Sequence, residues 1–377
     1  MSANPPDFGR GTLKIDVAHA VPADLKIEVL DRAKDDQTFA VQVTSPWLKD
    51  FRKPVEQDWK LPGKSGEIVS GYMQEFTAKG VALRSRLLSL KGAGKNLWSV
   101  APEAFKRAYW ELVDADRSPE TILVVSEERD IPWELMIPIR KGMRNPRPLG
   151  VLASVARWFD TAELRSPGSP LADARVVAGN HAQPPRPLAK AAVESTFVRE
   201  RIGGSAISPA TPAEIESTIM QWRGTLLHFV CHGKNGIPQA LLLDGTERLT
   251  STQVDGMLEL ASAWSESAPV VFLNACEVGR SAPSLAGAGG FARSWANAGA
   301  GAVVAPLWSV RDSVAHDVAV RFYEAVKAEP MTPYARIVRD IRALAYDKAG
   351  GEDTYAAYCF FGSPTAAAQM GAAGQAV

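Results

Sequence analysis

Apolar and polar residues alternate with a period of two in the first sixty positions. The clearest runs are Leu13-Lys14-Ile15-Asp16-Val17, Leu25-Lys26-Ile27-Glu28-Val29 and Phe39-Ala40-Val41-Gln42-Val43. This period predicts half-buried antiparallel strands. Pro62-Gly63-Lys64-Ser65-Gly66 then breaks the pattern. From about Ile68 to Leu90, and again from Pro102 to Val113, the spacing turns helical. From Thr121 onward short β-rich runs alternate with amphipathic ones. Strands are expected at Ile122–Val125, Ala174–Ala178, Leu226–Val230, Val270–Leu273, Ala302–Ala305 and Tyr358–Phe361, and helices near 188–202, 212–222, 285–298, 312–327 and 332–346. Val270-Val271-Phe272-Leu273 is apolar throughout, as a strand buried on both faces must be. The alternation predicts an α/β fold: a mostly parallel sheet flanked by helices on both faces, preceded by a small β-rich N-terminal module.

These shifts divide the chain into a β-rich module at 1–65, a region at 66–170, a core at 171–364 and a tail at 365–377 rich in Ala and Gly. The Pro-rich stretches 165–172 and 182–188 are expected to be exposed loops. No internal repeat is present.

Composition narrows the function. The chain has 377 residues, 46% of them apolar, and balances 42 Lys+Arg against 42 Asp+Glu. Such a balance exerts no overall pull toward nucleic acid or anionic membrane. No run approaches the length of a membrane span. Met1-Ser2-Ala3-Asn4-Pro5-Pro6 does not read as a signal peptide, so a cytoplasmic location with reduced thiols is expected. The three cysteines, Cys231, Cys276 and Cys359, are too few for a disulfide framework. Lys91-Gly92-Ala93-Gly94-Lys95-Asn96 lacks the Ser/Thr of a phosphate loop, and Gly287-Ala288-Gly289-Gly290 does not follow a strand as a dinucleotide fingerprint would. No cofactor and no metal are expected.

Two segments carry chemistry: Leu227-His228-Phe229-Val230-Cys231-His232-Gly233 and Val270-Val271-Phe272-Leu273-Asn274-Ala275-Cys276-Glu277-Val278-Gly279. Each is an apolar strand that ends in a reactive side chain. In open α/β sheets sites form beyond the carboxyl ends of the strands, so neighbouring strands would bring His232 and Cys276 to one cleft. A thiol needs an imidazole beside it to become a thiolate nucleophile. The oxyanion of the acyl step needs backbone N–H donors, for which Gly233 and Cys276 are the candidates. Two blander readings compete: Cys276 as an inert buried thiol, and His228, Cys231 and His232 as a metal cluster. The latter is disfavoured because position 231 points away from 228 and 232 on a strand.

Residues 70–364 resemble CHAT domains, which are related to caspases and separases. The matching segments are Ile131-Pro132-Trp133-Glu134-Leu135, His228 to Gly233, Leu273 to Gly279, Gly289 to Ser294, Gly301 to Asp312, Phe322-Tyr323 and Phe360-Phe361-Gly362-Ser363-Pro364. In the caspase signature a His lies about 50 residues before the Cys; here His232 precedes Cys276 by 44 (276 − 232). The resemblance implies a clan-CD cysteine endopeptidase with a caspase-like fold and a Cys276/His232 dyad. In separase-like relatives the stretch matching Leu307 to Asp312 lies near the specificity pocket. Asp312 therefore becomes a candidate acid for a basic P1 side chain, with its use as a helix N-cap the equal alternative. Asn274, by analogy with the caspase Gln, and Glu277 are further pocket candidates. The resemblance also suggests a role in bacterial antiviral defence or cell death, a protein substrate, and an activating protein partner at the N-terminal module. A catalytically silent CHAT scaffold that binds proteins is the alternative.

Overall fold

Residues 25–60 fold into three antiparallel strands, β1 (Leu25–Leu30), β2 (Thr38–Thr44) and β3 (Val55–Lys60). Alternate β1 residues, Leu25, Ile27 and Val29, are buried, as the period of two requires. The computed structural model describes residues 22–77, 81–128, 130–179, 188–234, 236, 238–275, 282–284, 287–308, 310–348 and 357–368. The run at 13–17, most of the 182–188 loop and the end of the tail lie outside them.

Helices α1 (Ser65–Thr77), α2 (Leu83–Val100) and α3 (Glu103–Asp114) follow, with a break where one helical stretch was expected. Strand β4 (Thr121–Ser126), helix α4 (Leu149–Leu152) and strand β5 (Ser154–Trp158) come next. Then come β6 (Ala174–Ala178), α5 (Ala191–Ile202), β7 (Gly204–Ala206), α6 (Pro212–Gln221) and β8 (Leu226–Val230). Three short strands, β9 (His232–Lys234), β10 (Ala240–Leu242) and β11 (Arg248–Thr250), form a separate small sheet. Helices α7 (Ser251–Asp255) and α8 (Leu260–Ala263) lead to β12 (Val270–Asn274). A hairpin of β13 (Ala282–Ser284) and β14 (Gly287–Gly289) precedes α9 (Phe291–Asn297). The described chain closes with β15 (Ala302–Pro306), α10 (Asp312–Ala328), α11 (Tyr334–Lys348) and β16 (Tyr358–Gly362).

One sheet runs through the molecule in the order β3-β2-β1-β4-β5-β16-β15-β12-β8-β6-β7. The N-terminal strands are continuous with it, because β1 pairs parallel with β4. From β1 through β7 all pairings are parallel save one: β16 runs antiparallel to β15 while lying parallel to β5. Thr211 caps α6 by accepting from the Glu214 N–H, and Thr250 with Gln253 forms a capping box on α7.

Two expectations need correction. The helix expected from 285 begins only at Phe291, because 287–289 pair as a strand and Gly290 has φ 133°, which no helix tolerates. Strands β3 and β5 were not expected: β3 is an edge strand with polar alternate positions, and Arg157 interrupts the apolar run of β5.

The central strands β8, β12, β15 and β16 are buried along their whole length. Their side chains still alternate between two helical layers. His228 meets Tyr323 of α10, whereas Phe229 packs 5.6 Å from Trp295 of α9, which in turn stacks on Trp264 at 5.8 Å.

Where β5 and β16 meet, a charged cluster lies inside the protein. Arg157 donates through Nε (2.8 Å) and Nη2 to the Glu134 carboxylate. Burial pushes the Glu134 carboxyl up, but the charge and hydrogen bonds of Arg157, with Arg342 behind, bring it down to about 2. Gly150 is required here: a Cβ on it would sit 2.8 Å from the Glu134 Cβ and 3.0 Å from Arg342 Nη1.

Candidate active site

The site is assembled by the parallel neighbours β8 and β12, in register from Val270 opposite Leu226 to Asn274 opposite Val230. Both strands therefore end at the same level, and the residues that follow them open onto one cleft. This cleft is lined by Leu188, Glu194, Val230, Cys231, His232, Asn274, Ala275, Pro306, Val310, Asp312, Ala315 and Tyr358.

His232 opens β9 directly after the bend at Cys231 and is half-buried on the cleft wall. Gly233 follows it, paired across the small sheet with Leu241. Ala275, the residue before Cys276 in the chain, lies in the same wall. Cys276 and Glu277 lie outside the described residues.

Asn274 is 6% exposed, and both ends of its amide have internal partners. Its Nδ2 donates to Glu194 Oε1 (2.6 Å), and its Oδ1 accepts from the Tyr358 hydroxyl (2.6 Å). Asp312 is the first residue of α10, whose N-cap is Arg311. Its side chain does not cap that helix: Oδ2 accepts from the backbone N–H of Lys190, at the start of α5, at 2.9 Å. Of the two alternatives for Asp312 the N-cap is not adopted; the carboxylate lies in the cleft lining and ties α10 to the start of α5.

His228 is wholly buried, with Nε2 2.8 Å from Glu194 Oε1 and Nδ1 2.8 Å from the Tyr323 hydroxyl. A carboxylate can only accept, so Nε2 carries the hydrogen and Nδ1 accepts from Tyr323. Burial, with the Glu194 charge nearby, holds the Tyr323 hydroxyl well above its ordinary value, so it stays a donor. A continuous chain of side chains, Tyr323–His228–Glu194–Asn274–Tyr358, therefore underlies the cleft.

Glu194 and Tyr358 were not singled out from sequence. Glu194 sits in an unremarkable helix, where a buried carboxylate carries no local signal. Tyr358 lay in an expected strand, but nothing in its spacing ties it to Asn274. Cys359 is buried, and burial pushes its thiol up to about 12, so it is a poor nucleophile. Among the described residues no His, Cys, Asp and Glu cluster could hold a metal ion, and no helix is long and apolar enough to cross a membrane.

The cleft thus lies at the carboxyl ends of neighbouring parallel strands and is lined by His232 and by the residue that precedes Cys276 in the sequence. Residues 103–353 match the CHAT domain model, and the chain belongs to the CHAT domain family. Among solved structures it is similar to the separase of the Saccharomyces cerevisiae separase–securin complex, with TM-score 0.53 and 9% identity, over 90% of this chain and 30% of that one. The Porphyromonas gingivalis RgpB pro- and mature-domain complex matches with TM-score 0.49 and 15% identity, over 81% of this chain and 78% of that one. The Drosophila initiator caspase Dronc matches with TM-score 0.36 and 10% identity, over 55% and 87%. No curated protein matches the chain.

Proposed function

We propose that this CHAT protein is a cysteine endopeptidase that cleaves protein partners through Cys276 and His232. The observation that supports it most is the shared cleft: His232 and Ala275, which immediately precedes Cys276, lie in one wall at the ends of adjacent parallel strands.

In this reading His232 takes the Cys276 proton, and the thiolate attacks the scissile carbonyl carbon. The backbone N–H groups of Gly233 and Cys276 hold the resulting oxyanion. The amine leaves with the proton from His232, and water, deprotonated by the same imidazole, hydrolyses the thioester. Glu277 and Asp312 are candidates for contact with a basic P1 residue. The β-rich N-terminal segment is the proposed docking place for an activating protein, and bacterial defence or cell death is the setting that the family suggests.

The test is a fluorogenic peptide library varied at P1, run with wild type, Cys276→Ala and His232→Ala. Cleavage lost in both variants supports the proposal. A wild-type protein that neither cleaves nor reacts with an acyloxymethyl ketone at Cys276 overturns it in favour of the silent scaffold.

A further inference from the structure

Glu194 is held in a way that the dyad does not explain. Its side chain is 1% exposed, yet it lines the cleft that His232 enters. Oε1 takes both strong bonds, from His228 Nε2 and Asn274 Nδ2. Among the described residues the polar partner of Oε2 is His316 Nδ1, at 3.5 Å. One oxygen thus anchors the carboxylate, while the other has only this longer approach to an imidazole. A buried carboxylate with an under-used oxygen is unfavourable until a cation reaches it.

The surroundings select what that cation can be. Leu188, Val230, Pro306, Val310 and Ala315 give the cleft apolar walls suited to an aliphatic stem. Among the described residues no Lys or Arg lines it, and the second carboxylate, Asp312, is partly exposed with one oxygen already committed to Lys190. A long side chain with an apolar stem and a cationic head fits both features.

We propose that Glu194, rather than Asp312, is the residue that sets P1 specificity: its Oε2 receives the ammonium or guanidinium of a P1 Lys or Arg. His228 and Asn274 are positioning residues that fix the carboxylate so that Oε2 faces inward. This deepens the endopeptidase reading and rests on it, but the recognition step is binding and can be measured apart from catalysis.

The test compares peptides that differ only at P1, carrying Arg, its neutral isostere citrulline, Lys or norleucine. Turnover is measured on wild type, and affinity on Cys276→Ala by fluorescence anisotropy. The expected result is a preference of about 100-fold for Arg over citrulline in both assays, the scale of a buried charge pair. Glu194→Gln keeps an acceptor for His228 and Asn274 but removes the charge. It should bring Arg and citrulline within about threefold while norleucine is unchanged, and Asp312→Asn should cost less than about tenfold.

Equal binding of Arg and citrulline by the Cys276→Ala protein overturns the inference without any change at Glu194, so a variant that fails to fold does not block the test. Loss of the preference in Asp312→Asn but not in Glu194→Gln also overturns it. Glu194-dependent binding without turnover by wild type sustains the inference and sinks the endopeptidase reading. Turnover with no cationic preference does the reverse, and neither binding nor turnover of any peptide overturns both.

Discussion

Arg157 grips Glu134 with two nitrogens inside the protein, at the seam where β5 meets β16. The Ile131-Pro132-Trp133-Glu134-Leu135 segment thereby gains a physical meaning. Trp133 fills the core 5.9 Å from Phe105 and 5.7 Å from Trp59, while Glu134 neutralises a guanidinium that β5 carries into the interior.

Removing one partner should therefore be worse than removing both. Glu134→Gln takes away the carboxylate that Arg157 is hydrogen-bonded to and that Arg342 lies beside, and a loss of about 3–5 kcal/mol is expected. The double variant Glu134→Leu/Arg157→Met should lose less. Urea unfolding of the three proteins checks the order, and equal losses would remove the pair from this role.

Two carboxyls shape stability against pH in opposite senses. Glu128 is buried, and burial together with the Asp130 charge pushes it up to about 7. A carboxyl raised on folding destabilises the protein as pH climbs from the ordinary value of 4.5 through 7, with the full penalty above that. Glu134, lowered to about 2, stabilises above 4.5 and loses that contribution as pH falls toward 2. Glu128→Gln should thus raise stability at pH 8 by about 2 kcal/mol and leave pH 4 unaffected. Unfolding curves at the two pH values decide; a gain of the same size at both would refute the linkage.

Tyr358→Phe removes the hydroxyl that Asn274 Oδ1 accepts, leaving that buried oxygen unpaired. About 1–3 kcal/mol of stability should be lost. If Asn274 positions Glu194, KM for a P1 Arg peptide should rise several-fold while kcat holds. A kcat loss at unchanged KM would argue against a positioning role.

Thiol chemistry should separate the cysteines. Iodoacetamide at pH 7.5 should modify Cys276 in the folded protein, whereas Cys359, buried with its thiol near 12, should react only after unfolding. Peptide mass mapping reads this directly. Early modification at Cys359 would contradict its burial.

The central sheet was legible because strands buried on both faces leave an unbroken apolar signature, and Ala174–Ala178 and Leu226–Val230 matched to the residue. The positions of His232 and Ala275 at the cleft were legible because they follow such runs. Strand β5 was hidden by Arg157, a charge that makes sense only once Glu134 is seen beside it. Glu194 was hidden for the same reason: its partners His228 and Asn274 come from strands distant in sequence. Pairwise polar satisfaction across a fold has no local periodicity to read.

Strand β16 lies between β5 and β15, and its first residue, Tyr358, completes the side-chain chain beneath the cleft. During synthesis the strands on either side of it exist long before it does. They can form as two partial sheets with a vacant slot, and Asn274 has no hydroxyl to hold it. The cleft is thus completed late in synthesis: Tyr358, one of its lining residues and the partner of Asn274, is made only after every other strand of the sheet.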